Sequence, residues 1–372
     1  PGGVFLLAIE NQLGLKYFAG RPEDHNGVPM YGIEDLYGDS DAVTFGKQEL
    51  SGLLSSTGWY HQCWWYPFPD YKFPISVLSE AGVKSSADLS PLLQNSVGVD
   101  PQRGATSFSL ESAWAPVFRN GLAGVLANSF VVVASDRPLQ EPQVLAYHYA
   151  SGRRETFASE VVFVQGEAER IQVQRRPLAR DDAAALHAVD GLAVAFEEAE
   201  FVTGLHWQKE LIRILNRPGW SIEQLRPWAA TWFRAFIRHA SLVGMALGKN
   251  TSIDGSHFDA VPRNLIVRGP DDATFIDQEW QFKKPCTLGF MVFRSLGLSF
   301  FGLTSVASSA NQGSLALKDI LFDLADGIGI PLAEEDLPAY LDQENEIQVL
   351  VGAQPLTLLT TDLIAQWRIN VR

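Results

Sequence analysis

Four side chains in the stretch GSHFDAVPRNLIVRGPDDATFIDQEW, residues 255–280, have the types and the spacing to do chemistry: His257, Asp259, Asn264 and Asp277. The apolar runs LIV and TFI read as short buried strands joined by a turn. A strand pair of that kind sends Asp259, Asn264 and Asp277 out of its ends, as a divalent cation and a phosphate chain require. Transfer of a γ-phosphoryl group needs Mg²⁺ held by hard oxygen ligands, for which Asn264 and Asp277 qualify. It also needs a carboxylate, here Asp259, within hydrogen-bond reach of the attacking hydroxyl. Ordinary turn acids capping strand ends would give the same D-x-x-x-x-N. His257, Pro262 and FIDQEW at a matching interval tip the reading towards catalysis.

Composition narrows the possibilities. The chain has 372 residues, 46% hydrophobic and 19% charged, which excludes disorder and allows two to three domains. A formal net charge of −14 argues against a nucleic-acid partner, whose binding needs clustered Lys and Arg. Positive charge for phosphates must then be concentrated locally or borrowed from Mg²⁺. Cys63 and Cys286 have no CxxC partner and no His at ligand spacing, so a reducing cytoplasm fits better than a disulfide framework or structural zinc. TLGFMVFRSLGLSFFGL is interrupted by Arg294 and by glycines, so it predicts a buried helix and no membrane span.

The elements that must position these groups divide the chain. VFLLAI, residues 4–9, reads as an interior strand of a parallel sheet led in by Pro1-Gly2-Gly3. Such a strand needs neighbours on both sides, which points to a fragment of a longer chain. A long loop, a helix capped by Thr44 and the aromatic strand YHQCWWYPFPDYKFP complete the closing portion of an α/β sheet domain over 1–90. Residues 91–142 form a linker and helical connector, with 80–105 irregular and FSLESAWAPVFRNGLAGVLANSF helical. From 143 the pattern becomes antiparallel: VLAYHY, EVVFVQ and ERIQVQRRPL are strands. Helices follow in DDAAALHAVDGLAVAFEEA, in HWQKELIRIL, and in SIEQLRPWAATWFRAFIRHASLVGMAL with Ser221 as N-cap. A small β layer, the connector FVTGLHW and a helical lobe make an α+β two-lobed plan over 143–345, with 346–372 as a tail.

HFDAVPRN has the H-x-D-x-x-x-x-N spacing of the protein-kinase catalytic loop, whose Asp accepts the hydroxyl proton and whose Asn holds a metal. The stretch resembles the aminoglycoside-phosphotransferase-like kinases. More narrowly, it resembles the kinase half of bacterial methyltransferase–kinase proteins that modify the growing end of O-antigen-type polysaccharides, where the second metal motif is similar to IDQEW. The resemblance implies Asp259 as catalytic residue, Asn264 and Asp277 as metal ligands, and ATP with Mg²⁺. It leaves Glu279 as a further metal ligand and Trp280 as packing. In VQRRPL, Arg175 stands where such kinases place a Lys, a change of hydrogen-bond geometry at constant charge. Gly152 in ASGRRE marks the phosphate loop, and no acid that would partner Arg175 is evident in RDDAAALHAVDG.

PGGVFLLAIEN, the run IENQLGLKYFAGRPEDHNGVPMYGIEDLY and YPFPDYKFP resemble the late part of class I S-adenosylmethionine-dependent methyltransferases, and of the methyltransferase half of the same proteins. This implies a Rossmann-like sheet whose cofactor-binding motif precedes Pro1. It also implies acceptor contacts from Glu10 and Asn11 and a base from His25, flanked by Glu23 and Asp24. The expected protein is a transferase of the bacterial cytoplasm, peripheral at the inner membrane through a partner. Its acceptor is a glycan or lipid-linked saccharide. In the alternative, the kinase-like part is an inactive nucleotide-binding or scaffolding module that positions a glycosyltransferase.

Overall fold

Two apolar runs far apart in the chain, VFLLAIE and SFVVVAS, pair with each other in the computed structural model. The structure describes residues 3–102, 104–140, 142–167, 170–178, 186–189, 191–310, 315–352, 358–368 and 371–372. The first run is β1 (Val4–Glu10). After helices α1 (Leu15–Phe18) and α2 (Lys47–Ser56) come β2 (His61–Phe68) and β3 (Ser76–Ser79). Helices α3 (Glu80–Val83), α4 (Ser90–Val97) and α5 (Leu110–Arg119) precede the second run, β4 (Ser129–Ser135). Strands β5 (Val144–Tyr149), β6 (Ser159–Gln165) and β7 (Ile171–Pro177) follow as a meander. With β8 (Leu186–Val189), β9 (Leu192–Ala195) and β10 (Glu198–Glu200) placed, the main sheet is eight-stranded, in the order β1-β4-β2-β3-β5-β6-β7-β10.

Among the described residues, every ladder between these strands is antiparallel. This corrects the expected parallel sheet. β1 is not interior either: it lies at the sheet edge against β4, from Val4 opposite Ser135 to Glu10 opposite Ser129. Val4 and Leu6 are 66% and 67% exposed. A continuous apolar run fixes the strand but not the direction or number of its neighbours, and β-branched β4, free of Gly and Pro, took the interior place between β1 and β2. The expected lead-in turn at Pro1 and Gly2 lies outside the described residues.

Capping chemistry explains other differences. α2 starts from Gly46, while the Thr44 hydroxyl is engaged with Tyr37. The 80–105 region holds α3 and α4 where an irregular surface was expected. Ser79 accepts a hydrogen bond from Gly82 N–H, and Pro91 sits in the first turn of α4. α5 stops at Arg119, ahead of Asn120-Gly121, so NGLAGVLA is not helical. The described part of DDAAALHAVDGLAVAFEEA is strand, not helix; residues 181–185 and 190 lie outside the described set. Gly191 takes a φ of +87° between β8 and β9, a conformation that favours Gly. All four residues of β9 are buried, so burial on a ladder outweighed the helix propensity of its alanines.

The rest of the chain is mostly helical. β11 (Leu205–His206) leads into α6 (Trp207–Leu215) and α7 (Ile222–His239), the latter started by a capping box of Ser221 and Gln224. β12 (Ser252–Ile253), β13 (Leu265–Val267), β14 (Ala273–Phe275), β15 (Trp280–Phe282) and β16 (Cys286–Thr287) precede the buried α8 (Leu288–Phe301). Helices α9 (Leu317–Gly327), α10 (Leu337–Val351) and α11 (Thr361–Gln366) complete eleven helices among the described residues. The fold is therefore mixed α/β around a large antiparallel sheet. One core gathers Trp64, Phe68, Trp114 and Phe130; a second gathers Trp228, Trp232, Phe290 and Leu296. The sheet crosses the expected boundary at 143, where Ser76 of β3 faces His148 of β5, and α10 crosses the one at 345. Among the described residues no helix is long and apolar enough to cross a membrane.

Candidate functional site

The β13–β14 pair brings three of the expected residues together. Leu265 faces Phe275, and Ile276 N–H donates to Asn264 C=O at 2.8 Å, so Asn264 and Asp277 leave the same end of the hairpin. The Asn264 amide nitrogen donates to the backbone oxygen of Asp259 (3.0 Å) and to that of Asp277 (3.5 Å). One side chain thus ties the two acidic residues together by their main chains. Asp277 holds that position at a φ of 58°, uncommon for a residue with a Cβ. Strain of this kind persists where surrounding structure imposes it.

Asp259 is 4% exposed. Its Oδ2 accepts from Trp280 N–H at 2.8 Å. Burial, then the Glu279 carboxylate, push its carboxyl up to about 7, against the pull of Arg294. Arg294 of α8 covers the Phe258 ring at 3.7 Å and pairs with the buried Glu344 at 3.0 Å. The Asp277 carboxylate, in contrast, is 44% exposed.

These groups open into a cleft of about 850 Å³. Val161, Val173, Ala195, Ile266 and Ile276 give it apolar walls, and Phe201–Gly204 run along it. Arg175 of β7 enters and pairs with Asp277 and, at 3.1 Å, with Glu279. Gly152 does not line the cleft, and a Cβ there would meet nothing within 4 Å at an ordinary φ, so no glycine is required. Its neighbour Arg153 lines it instead, donating to Glu279 at 2.6 Å with its guanidinium 4.7 Å from the Trp280 ring centre. Asp88 and Gln94, from the first 100 residues, line it as well. Lys209 of α6 holds Asp88, and the buried Glu111 accepts from the backbone N–H and the hydroxyl of Thr304.

No protein-family model matches the chain, and neither do curated proteins or solved structures. The site therefore rests on its own geometry.

A metal can be tested against that geometry. Among the described residues no group of three or more His, Cys, Asp or Glu side chains could hold a metal ion. Mg²⁺ that arrives on a nucleotide needs less, because phosphate and water oxygens complete its shell around one or two protein ligands. Asp277 and the carbonyl oxygen of the Asn264 side chain fit that smaller demand. Glu279 does not: its carboxylate is buried between Arg153 and Arg175.

The residues expected to face a methyl acceptor lie elsewhere, and none of Glu10, Asn11 and His25 lines the cleft. Glu10, at the end of β1, is 3% exposed and pairs with Lys72, with Tyr71 Oη at 3.3 Å and His25 Nε2 at 3.6 Å. Burial pushes its carboxyl up, but the Lys72 hydrogen bond, a backbone hydrogen bond and the Lys72 charge together outweigh burial and the net shift is downward. Beside it Lys16, 1% exposed, pairs with Asp24 at 3.1 Å and Asp70 at 3.3 Å. Glu23 accepts from the backbone N–H groups of His25 and Asn26. Asn11 belongs to the scaffold and not to an acceptor surface. It is fully buried, its amide donates to the carbonyls of Val125 and Ala127, and its Oδ1 accepts from Leu13 N–H.

Sequence reasoning missed Arg153, Arg263, His148 and His206, all of which line the cleft. Burial lowers both imidazoles, His206 to about 4, so they stand neutral at physiological pH. Arg153 adjoins the glycine that was singled out; the other three carried no signal.

Proposed function

We propose that the cleft binds a nucleoside triphosphate with Mg²⁺ and passes its γ-phosphoryl group to a hydroxyl of a glycan or other small acceptor. The reading treats the β5–β7 meander and the helical part beyond α6 as two lobes around a nucleotide. The observation that carries it is the Asn264 amide joining Asp259 to Asp277 at a cleft that also receives Arg175. Asp259, titrating near neutrality, takes the hydroxyl proton. Asn264 and Asp277 offer the oxygens for the metal. Bound Mg²⁺ supplies charge neutralisation on the transferring group. Arg175 faces the phosphates, and the apolar walls take the base. For a cytoplasmic transferase of this kind the saccharide acceptor enters at the exposed face of Asp277.

The methyltransferase half of the reading rests on the resemblance of residues 1–90 and on the Glu10–His25–Lys72 cluster. The two residues expected to meet the methyl acceptor are already engaged within the fold. The carboxylate at the end of β1 is neutralised by Lys72 and Asn11 is consumed by backbone, so no step is assigned through S-adenosylmethionine.

One observation favours a second reading. The Arg175 guanidinium already occupies the Asp277 carboxylate, as in a nucleotide-binding scaffold that no longer transfers phosphate. Thermal melting with Mg-ATP is the first test: wild type is expected to be stabilised, and Asp277→Ala is expected to lose the Mg²⁺-dependent part. Equal stabilisation of both proteins would remove Asp277 from the metal site. Product analysis with ATP and an oligosaccharide then separates transfer from binding alone.

A further inference from the structure

We infer that Glu279 is a positioning residue holding two phosphate-binding cations, Arg153 and Arg175, and that Arg153 is the second of that pair. The inference rests on the nucleotide reading above and names residues that it did not assign.

A guanidinium on a long stem is a poor phosphate ligand unless something fixes its plane. In protein kinases an acid on a helix pairs with the strand lysine for that purpose. In the described part of the corresponding segment there is no such helix: β8 and β9 form a hairpin. Glu279 stands in that acid's place, supplied from the chain just past Asp277. Its backbone is fixed, because its C=O accepts from Ala195 N–H at 2.8 Å and the next N–H reaches Asp259. Its carboxylate, 4% exposed, has Arg153 on Oε1 at 2.6 Å and Arg175 on Oε2 at 3.1 Å. One buried acid thus orients two cations from two elements, the loop after β5 and strand β7.

The donors that remain point to a ligand. Arg153 Nη1 and Arg175 Nε are buried and have no hydrogen-bond partner among the described residues, and both side chains line the cleft. Buried N–H groups without acceptors are costly, and native structures carry few. Trp280 stacks beneath the Arg153 guanidinium and limits its rotation, leaving the planar fork suited to phosphate oxygens. A metal ion on Asp277 would displace Arg175 from that carboxylate while Glu279 kept its grip. The pair would then face the phosphates with one buried acid between two cations. This gives an acidic chain the local positive charge that its composition withholds.

Calorimetric titration with Mg-ATP, Mg-ADP and adenosine tests the inference. Arg153→Met keeps the packing on Trp280 without the charge, and Glu279→Gln keeps the shape of the acid. Each is expected to weaken Mg-ATP and Mg-ADP by about 10–100-fold, the range for charge-assisted hydrogen bonds, and to leave adenosine within about twofold of wild type. The double variant is expected to lose less than the product of the two single losses, because both act on one clamp. Arg153→Met that binds Mg-ATP like wild type, or loses adenosine in proportion, overturns the inference and leaves the nucleotide reading standing. Wild type that binds none of the three overturns both. If Arg153→Met does not fold, Glu279→Gln is judged by the same ATP-to-adenosine ratio, and a wild-type ratio overturns the inference.

Discussion

Asp259→Asn tests the electrostatics of the site without reference to any substrate. In the native protein, burial and the nearby Glu279 carboxylate lift the Asp259 carboxyl from its usual 3.8 to about 7. In the unfolded chain it returns to the usual value. Between about pH 4 and pH 7 the native state therefore keeps a proton that the unfolded state has released, and stability must fall as pH rises through that window. At about 1.4 kcal/mol per pH unit, a window of about three units sets a ceiling on the order of 4 kcal/mol. Water in the cleft lowers this to about 2–4 kcal/mol, since buried sites behave as though their dielectric constant were near 20. Asn has the same shape, carries no charge and can still accept from Trp280 N–H. The variant is expected to match wild type near pH 4 and to exceed it by about 2–4 kcal/mol at pH 8. Urea unfolding followed by tryptophan fluorescence, with a chelator present, gives the difference at each pH. A difference that stays flat with pH, or a variant less stable than wild type at pH 8, would refute the reasoning. It would mean that Asp259 is an ordinary carboxylate stabilised by Arg294.

Two further substitutions probe the framework. Gly255→Ala would place a Cβ 1.7 Å from the carbonyl oxygen of Phe282. Backbone cannot yield as a side chain can, so a loss of about 3 kcal/mol or more is expected from urea midpoints, with displacement of β15 and hence of Trp280. Lys16→Met would leave Asp24 and Asp70 without their shared cation. Breaking a buried pair from one side costs about 3–5 kcal/mol, and retention of the wild-type midpoint would mean that both acids are already neutral or hydrated.

The sequence was most legible where a side chain both packs and caps. Ser221 as N-cap announced α7, and the buried run from Leu288 announced α8. The Asp259, Asn264 and Asp277 set was legible as well, because a strand pair converts a fixed spacing into proximity. Long-range choices were not. VFLLAI could be read as a strand but not as an edge strand, since its neighbour β4 lies more than a hundred residues away and direction leaves no local mark. The alanines of β9 look helical until the partner that buries them, β15, is known. From sequence, Glu279 stood open as a further metal ligand through its match to the IDQEW motif. Its actual partners come from β7 and the loop after β5, and pairing of that kind is a property of the folded sheet alone.

Register decides which of two adjacent arginines can serve the cleft. VQRRPL offers Arg175 and Arg176, alike in charge and neighbours, and strand parity sends them to opposite faces. In the β6–β7 ladder Arg175 faces Val161 and Val173 faces Phe163, and all four residues line the cleft. Arg176 faces Glu160, is exposed and donates to Gln174 on its own strand. A slip of one residue would turn Arg175 to the outer face and bring into its place Gln174 in one direction, leaving Glu279 with Arg153 alone, or Arg176 in the other. The slip is opposed by the apolar side chains that share Arg175's face: moving Val161, Phe163 and Val173 out of register would expose the wall of the cleft to water. The same apolar face that would receive a nucleobase therefore selects the cation that would receive its phosphates.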